Sequence, residues 1–323
     1  MQRFASIDIG SNTLRLLIAE KTRGGRVRAV RLERRITRLG EHFLPGKRLQ
    51  PEAIHRSIEA LRQYATFMRE EGAKHCLAGA TAVVREAHNG PLFVKAVEEQ
   101  TGLEVTILSG AEEARLSLLG VTSVIDASKG SIAVFDIGGG STEVVWQRQQ
   151  QAPLVNSISL PLGVVHLTER FLQQDDPPGA GACRSLRKYV RSVLADVSLP
   201  EDIKGAHWVG TAGTVTTLAS MRCGLQRYDA DRINGLSLQK SWLEQMADLL
   251  AETPLRQRRD IPGLERGRED IILAGVLVTL ELMDIAQVSQ ITVSDAGLLE
   301  GLLLHLLEKF SECRPQKGCQ HPE

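Results

Sequence analysis

The chain has 323 residues, a length that predicts two domains rather than one ordinary core. Its 39 basic and 39 acidic residues cancel, so no global field would attract DNA or an acidic membrane. Hydrophobic residues make up 42% of the chain, and no apolar run is long enough for a membrane span. The N-terminus enters a predicted strand directly and the five cysteines are scattered, so we expect a cytoplasmic protein with reduced thiols.

The first part of the chain predicts three strands followed by alternating helices and strands. Apolar periodicity places strands at 3–9 and 14–20, and an arginine-rich third strand at 26–36. A helix is predicted at 51–71, which starts at a proline and is followed by Gly72. The next elements are a strand at 75–80, a helix at 90–100, a strand at 103–108 and a helix at 110–120. This order is typical of a mixed α/β layer.

The same order restarts after a polar turn at 126–130, which we take as the domain junction. The predicted elements are strands at 131–136, 142–147 and 153–159, helices at 162–171 and 180–196, a strand at 206–210, helices at 212–221, 238–251 and 269–286, a strand at 290–293 and a helix at 297–310. We therefore predict two α/β domains, 1–125 and 126–310, with a cleft between them and a flexible tail at 311–323. The last helix is a candidate to pack back on the first domain.

Glycine-rich turns of the same form occur in both halves of the chain. "DIGSNT" (8–13) and "DIGGGSTE" (136–143) each lie between two predicted strands, and "GTAGT" (210–214) lies between a strand and a helix. Glycines expose backbone N–H groups, and Gly139 is expected to need a conformation that only glycine adopts easily. The candidate phosphate-binding residues are Gly10, Ser11, Asn12, Thr13, Arg15, Gly138, Gly139, Gly140, Ser141, Thr142, Gly210, Thr211, Gly213 and Thr214.

Three carboxylates accompany these turns, namely Asp8, Asp136 and Glu143. They would repel phosphate if they faced it directly. They can instead bind, mainly through water, a Mg²⁺ ion that also binds the phosphate. We therefore predict a Mg²⁺ site, which Mn²⁺ could also fill.

The sequence resembles the exopolyphosphatase / guanosine pentaphosphate phosphatase (Ppx/GppA) family of the actin-like superfamily. The matching segments are "IDIGSNTLRLLI" (7–18), "GATAVVREA" (79–87), "SGAEEARLSLLG" (109–120), "FDIGGGSTEVV" (135–145), "LPLGVVHLTERF" (160–171), "GTAGTVTTLA" (210–219) and "VSDAGLLEGLL" (293–303). The resemblance implies two actin-like (ribonuclease H-like) domains, frequent dimerisation, and Mg²⁺-dependent release of terminal phosphate from polyphosphate or of the 5′ γ-phosphate of pppGpp. The family usually has arginine where this chain has His166.

Two adjacent glutamates are distinguished by local physics. Ser109 and Glu112 have the spacing of a capping box, so Glu112 has a structural role at a helix start. Glu113, about 100° further around the helix, is free to point elsewhere, and the family's catalytic glutamate falls on it. Arg85 is the candidate guanidinium clamp on the attacked phosphate, with a plain salt bridge as the alternative. Arg15 is a second such candidate, with solvent exposure as its alternative.

Basic residues outside these motifs have two interpretations. The segment 21–40 carries eight basic residues and one acid, which fits either a charged edge strand or a track for a polyanion. Arg266 and Arg268 precede a long predicted helix, where surface pairing is favoured over substrate contact. Cys313 and Cys319 lie in a polar tail and predict a disordered end rather than a metal site.

From the sequence and the resemblance we expect a phosphohydrolase acting on polyphosphate or pppGpp, with neither DNA nor a membrane as partner. The resemblance further implies a homodimer. One alternative is an ATP-dependent small-molecule kinase on the same fold. The other is a nucleotide-switched binding protein of the actin or chaperone kind, in which Glu113 would have no catalytic purpose.

Overall fold

The strands form two sheets, one from each half of the chain. The computed structural model describes residues 2–22, 27–127, 130–148, 155–197 and 199–312. The strands are β1 (Gln2–Ile9), β2 (Thr13–Lys21), β3 (Val27–Ile36), β4 (Ala73–Ala80), β5 (Val105–Ile107), β6 (Ile132–Ile137), β7 (Thr142–Gln147), β8 (Val155–Leu160), β9 (His207–Thr211), β10 (Ser237–Gln239) and β11 (Gln290–Val293). The second half therefore repeats the three-strand opening of the first.

Helices follow the third strand of each half. They are α1 (Pro51–Glu70), α2 (Ala82–Glu86), α3 (Gly90–Thr101), α4 (Gly110–Thr122), α5 (Val164–Phe171), α6 (Gly179–Ala195), α7 (Ala212–Arg222), α8 (Ala230–Ile233), α9 (Lys240–Glu252), α10 (Leu255–Arg258), α11 (Ile272–Ala286) and α12 (Leu298–Glu312). None of the helices in the described part of the chain has both the length and the apolar character needed to cross a bilayer.

The two sheets share one topology. Their strand orders are β3-β2-β1-β4-β5 and β8-β7-β6-β9-β11, with β10 added at the edge of the second sheet. In each sheet the first three strands are antiparallel neighbours, and the fourth strand runs parallel to the first. The repetition predicted from the sequence is therefore confirmed.

Helix α12 packs against the first sheet although it follows the second in the chain. Its Leu299 and Leu303 bury Phe4 and Leu17 of that sheet. It also lies very close to α4, because a Cβ atom on Gly301 would be 1.8 Å from the Leu116 carbonyl oxygen. This contact fixes the position of α4, whose N-terminus reaches the cleft. The division into domains at 125/126 stays a prediction.

Several short elements differ from the prediction. The predicted helix at 238–251 begins at Lys240, because residues 237–239 pair antiparallel with β11 as β10. The short helices α2, α8 and α10 were not predicted, since they have four or five residues and no measurable period. Parts of the predicted junction (128–129), strands (26 and 153–154) and tail (313–323, with both cysteines) lie outside the described residues.

Strand β3 is the edge of the first sheet, which confirms one of the two interpretations of the basic segment. Three of its four arginines and Arg38 are paired with carboxylates, at N···O distances of 2.7 to 3.1 Å: Arg28 with Glu20, Arg31 with Glu33, Arg34 with Glu265 and Arg38 with Asp270. Because these charges are already neutralised, they do not form an open track for a polyanion. The last two pairs instead connect the two halves of the molecule across the cleft.

Candidate active site

The β1–β2 and β6–β7 hairpins are built alike and face each other. Gly10 N donates to Thr13 O at 3.1 Å, and Gly138 N donates to Ser141 O at 2.9 Å. The strand register then places Asp8 opposite Arg15 in the first hairpin and Asp136 opposite Glu143 in the second. One pair of equivalent positions, Arg15 and Glu143, therefore carries opposite charges, while Asp8 and Asp136 are the same residue.

The two turns touch each other across the cleft at Gly139. A Cβ atom on this glycine would lie 2.9 Å from Ser11 Cβ and 3.3 Å from Asn12 N. Gly139 is absent from the glycines with positive φ, so the predicted conformational reason for glycine here is wrong. The physical reason is the close approach of the two backbones.

A cavity of about 80 Å³ lies between the turns. It gathers most of the residues predicted from the sequence: Asp8, Gly10, Ser11, Asn12, Thr13, Arg15, Glu113, Asp136, Gly138, Gly139, Gly140, Ser141, Glu143 and Gly213. Four separate stretches of sequence thus meet at one site, with backbone donors from both turns beside four carboxylates.

Four predicted phosphate-binding residues do not line this cavity. The hydroxyls of Thr142, Thr211 and Thr214 donate to backbone carbonyl oxygens at 2.8, 2.9 and 2.9 Å. A Cβ atom on Gly210 would lie 2.7 Å from a neighbouring phenylalanine ring. These residues hold the turns together by packing and hydrogen bonding, and their donors are not directed at the cavity.

The capping box separates the two glutamates as predicted. Glu112 Oε2 accepts from Ser109 N at 2.9 Å, and Glu112 N donates to Ser109 Oγ at 3.2 Å. Glu113 lines the cavity with 6% of its surface exposed. Its Oε2 lies 3.0 Å from Arg85 Nη1, which also donates to the Leu108 carbonyl at 2.7 Å. Arg85 thus contacts Glu113 and does not itself line the cavity.

The four cavity carboxylates have raised pKa values. Burial raises the pKa of Asp8 to about 6, although Arg15 opposes the shift. Burial, then Glu143 and Asp8, raise the pKa of Asp136 to about 8. Burial also raises the pKa of Glu143 and, together with Glu143, that of Glu113. Neighbouring carboxylates repel one another when all of them are ionised, so a bound cation would stabilise their ionised forms.

The residues fit a hydrated Mg²⁺ ion rather than a cage made of protein ligands. Among the described residues, no three acidic, histidine or cysteine side chains converge closely enough to hold a metal directly. Glu143 Oε1 already accepts from Ser141 Oγ at 2.6 Å and Ser159 Oγ at 2.9 Å. Mg²⁺ keeps several waters and uses one or two carboxylates plus phosphate oxygens, which suits this donor set.

Sequence reasoning undervalued two cavity arginines. Arg268 is 5% exposed, so the expected surface pairing is wrong. Its Nε lies 2.7 Å from Glu265 Oε2 and its Nη2 donates to Thr13 Oγ1 at 3.3 Å. Arg34 also lines the cavity, as does Arg15, whose side chain is only 16% exposed and does not face open solvent. A Cβ atom on Gly213 would overlap the Arg268 guanidinium, so this glycine makes room for an arginine.

His166 lies beside the second turn. Its ring stacks on Phe43 at 5.6 Å between centroids, and Nε2 has no hydrogen-bond partner among the described residues. Burial lowers the pKa of His166, so the ring is neutral at pH 7. It therefore does not supply the positive charge of the arginine that the family usually has there.

The repeated sheets and the facing glycine turns define a class, the two-domain α/β proteins of actin-like fold with a central cleft. The sequence profile of the Ppx/GppA phosphatase family matches residues 17–310. The chain belongs to this family, and both the resemblance and the fold class predicted from the sequence are confirmed.

Relatives and solved structures agree with this assignment. The chain is 33% identical over 319 residues to "Exopolyphosphatase 2" of Mycobacterium tuberculosis, covering 95% of this chain and 99% of the relative. It is 30% identical over 312 residues to "Exopolyphosphatase 1" of Mycobacterium leprae, covering 96% and 91%. The crystal structure of the Aquifex aeolicus Ppx/GppA family member matches with a TM-score of 0.78 at 33% identity, covering 97% and 99%.

Proposed function

We propose that this chain hydrolyses a terminal phosphoanhydride, releasing phosphate from inorganic polyphosphate or the 5′ γ-phosphate from pppGpp. Family membership supports phosphatase activity, and the exopolyphosphatase names of relatives similar over nearly their full length support this substrate class. The observation that carries the proposal is a buried glutamate, Glu113, in the wall of a cavity formed by two glycine turns.

Glu113 is the group that positions and deprotonates the attacking water. A general base works best when its pKa is near the working pH, and burial raises the pKa of Glu113 from its ordinary value. Arg85 holds the carboxylate of Glu113 through its 3.0 Å contact. In this proposal Arg85 orients Glu113 and adds positive charge near the attacked phosphate.

The glycine turns bind the phosphate oxygens. Their N–H groups are donors at fixed positions, and phosphoryl transfer depends mainly on positioning and on stabilising negative charge. Arg15, Arg34 and Arg268 line the same cavity and add positive charge. Together these groups hold a terminal phosphate with its bridging oxygen directed away from Glu113.

Mg²⁺ completes the site in this proposal, held by Asp8, Asp136 and Glu143 mainly through water. When bound, it neutralises charge on the phosphate oxygens, and Mn²⁺ could substitute. The raised pKa values of these carboxylates support a cation there. The homodimer, the cytoplasmic location and the domain bounds 1–125 and 126–310 stay predictions.

The test is phosphate release from long polyphosphate, tripolyphosphate and pppGpp, each with Mg²⁺ and with EDTA. We expect release from at least one substrate with Mg²⁺ and none in EDTA. An ATP arm with candidate acceptors tests the kinase alternative. Absence of release from all three substrates with both Mg²⁺ and Mn²⁺ would overturn the proposal, and full activity in EDTA would overturn the metal assignment.

A further inference from the structure

A loop of the first half, residues 37–49, lies against α5 of the second half, close to both glycine turns. The start of this 37–49 loop is fixed to the first turn, because Arg38 N donates to Asn12 O at 3.0 Å. Its end is fixed by Asn89, whose Oδ1 accepts from Leu49 N at 2.9 Å and whose Nδ2 donates to Leu49 O at 3.0 Å. The loop is therefore part of the same rigid unit as the first turn.

Helix α5 is fixed to the second turn in a similar way. Val165 N, in the first turn of the helix, donates to Gly139 O at 3.0 Å. A Cβ atom on Gly163, just before the helix, would lie 2.2 Å from the Gly140 carbonyl carbon. Since the helix start and the glycine turn are packed this closely, a movement of α5 also moves the second glycine turn.

His166 and Phe43 form the contact between these two units. The His166 ring stacks on the Phe43 ring with 5.6 Å between centroids and 9° between planes. Phe43 is 1% exposed and packs in the core of the first half, so its ring has a fixed position. Three residues further along α5, Glu169 Oε1 accepts from His42 N at 2.9 Å. Through the 37–49 loop and α5, this contact links the first glycine turn to the second.

The boundary between the loop and α5 is not packed like the interior of either half. A cavity of about 30 Å³ lies there, lined in part by His42, Thr168 and Glu169. Thr168 Oγ1 and His166 Nε2 are buried, and neither finds a hydrogen-bond partner within the portion of the chain that the structure describes. Buried polar atoms without partners favour separation of a contact, because water satisfies them once it opens.

Burial is the main influence on the charge of His166, and it lowers the pKa of the ring. Glu169 on the same helix and Glu86 on α2 favour the protonated ring, while Lys47 of the loop disfavours it. Glu86 and Lys47 are paired with each other at 3.2 Å, and Glu169 accepts from His42. A proton on the ring would thus add a buried charge with no partner at Nε2, which is costly.

We infer that His166 is a positioning residue for the second glycine turn: its neutral ring, stacked on Phe43, holds the two turns at the separation that binds phosphate, and protonation releases them. This inference rests on the proposed function, in which the turns bind the phosphate oxygens. A histidine with a lowered pKa in a closed contact takes up a proton more readily when the contact opens, so acid favours the open arrangement. Substrate affinity should therefore fall as the pH drops below about 6.5, the ordinary histidine pKa.

The test compares KM for tripolyphosphate, at saturating Mg²⁺, between the wild type and His166→Phe at pH 8 and pH 5.5. The variant keeps a ring for stacking but cannot take up a proton. Dividing the wild-type KM by the variant KM cancels every titration that both proteins share. At pH 5.5 a histidine of ordinary pKa favours the open state by at most about 11-fold. We expect a KM ratio of about 1 at pH 8 and of about 2 to 10 at pH 5.5.

Two further variants separate positioning from loss of folding. His166→Ala removes the stacked ring, so KM at pH 8 should rise by about 2- to 13-fold while kcat is kept. A merely destabilised protein would instead lose active molecules, which lowers kcat and leaves KM unchanged. His55→Asn, at an exposed position of α1, is the control and should match the wild type at both pH values. His166→Leu, which also cannot take up a proton, repeats the comparison with a smaller side chain.

Binding provides a readout that is independent of turnover. In calorimetric titration with tripolyphosphate, the Glu113→Gln protein should lose more affinity between pH 8 and pH 5.5 than the same protein carrying His166→Phe. Equal losses in these two proteins, or a KM ratio of about 1 at both pH values, would overturn the positioning role of His166. The proposed phosphohydrolase function would survive either result, and it fails separately if the wild type releases no phosphate.

Discussion

The β1–β2 and β6–β7 hairpins have the same turn and strand register but opposite charges at one position. In the strand register, Arg15 lies opposite Asp8 in the first hairpin, and Glu143 lies opposite Asp136 in the second. Burial is the largest cause of the raised pKa of both aspartates, yet Asp8 reaches about 6 and Asp136 about 8. Arg15 opposes the shift at Asp8, whereas Glu143 adds to it at Asp136.

This difference indicates how a duplicated fold can serve an asymmetric reaction. The first hairpin offers its own positive charge to the cavity, while the second gathers carboxylates that need a cation from outside. Glu113 lies with the acidic hairpin, since Glu143 is the neighbouring charge that most raises its pKa. We infer that the first hairpin mainly binds phosphate, and that the second hairpin together with Glu113 mainly holds metal and water.

The largest expected effect is on the acidic side. Glu113→Gln keeps the size of the side chain but removes its basicity, so kcat should fall by about 10²- to 10⁴-fold while substrate affinity holds or rises. Single-turnover phosphate release and equilibrium binding, measured side by side, test this split.

Glu112→Gln is the matched control for that variant. It should keep turnover within a few-fold and lower stability by less than about 1 kcal/mol, because it weakens only the capping box. An inactive Glu112→Gln beside an active Glu113→Gln would reverse the roles of the two glutamates.

The next effect is on the basic side. Arg15→Gln removes a charge that lines the cavity, and a hydrogen bond to a charged group contributes about 1.5–3 kcal/mol. KM for tripolyphosphate should therefore rise by about 13- to 160-fold, with little change in the Mg²⁺ concentration for half-activity. Arg35→Gln, at an exposed position of β3, is the control and should leave KM unchanged. A large change in Mg²⁺ requirement with unchanged KM would contradict the division between the hairpins.

The sequence predicted which segments form the site better than it predicted which of their side chains face the cavity, and the reasons are physical. Glycine turns, flanking carboxylates and the capping box are local patterns, so their residues could be identified from spacing alone. Whether Thr142, Thr211 or Thr214 faces the cavity depends on which carbonyl oxygen lies nearby in the folded chain. Only the tertiary structure contains that information, and in it the three hydroxyls donate to backbone carbonyl oxygens.

The same limit applies to long-range packing. Arg268 and Gly213 are 55 positions apart in sequence, yet the arginine fills the space above the glycine. Gly139 likewise needs its small size because of Ser11, which belongs to the other half. The repeated fold could be predicted because the order of strands and helices follows from patterns along the whole sequence. Close contacts between distant segments leave no local signal in the sequence.

The two aspartates also predict different pH dependence of stability in EDTA. A carboxyl with a raised folded-state pKa binds more protons folded than unfolded, so stability is present at low pH and lost as pH rises through that pKa. The loss at Asp8 ends near pH 6, while that at Asp136 continues to about pH 8.

Thermal unfolding of the metal-free protein measures this difference. Between pH 6 and 8 the wild type should lose on the order of 2 kcal/mol, a fall of several degrees in Tm. Asp136→Asn should flatten this range and Asp8→Asn should not. Asp136→Asn should also raise the Mg²⁺ concentration for half-activity. Identical pH profiles of the two variants would remove the distinction between the hairpins.

The smallest effect concerns a hydroxyl that supports the acidic hairpin alone. Ser159 Oγ donates to Glu143 Oε1 at 2.9 Å, and the equivalent Arg15 has instead a carboxylate, Glu300, at 3.8 Å. Ser159→Ala leaves Glu143 with one donor fewer, so its ionised form is less favourable and Mg²⁺ should bind more weakly. A hydrogen bond of about 0.5–1.5 kcal/mol corresponds to a 2- to 13-fold higher Mg²⁺ concentration for half-activity. KM at saturating Mg²⁺ should not change. A metal titration of phosphate release decides the matter, since a higher KM with an unchanged metal requirement would make Glu143 part of the phosphate side.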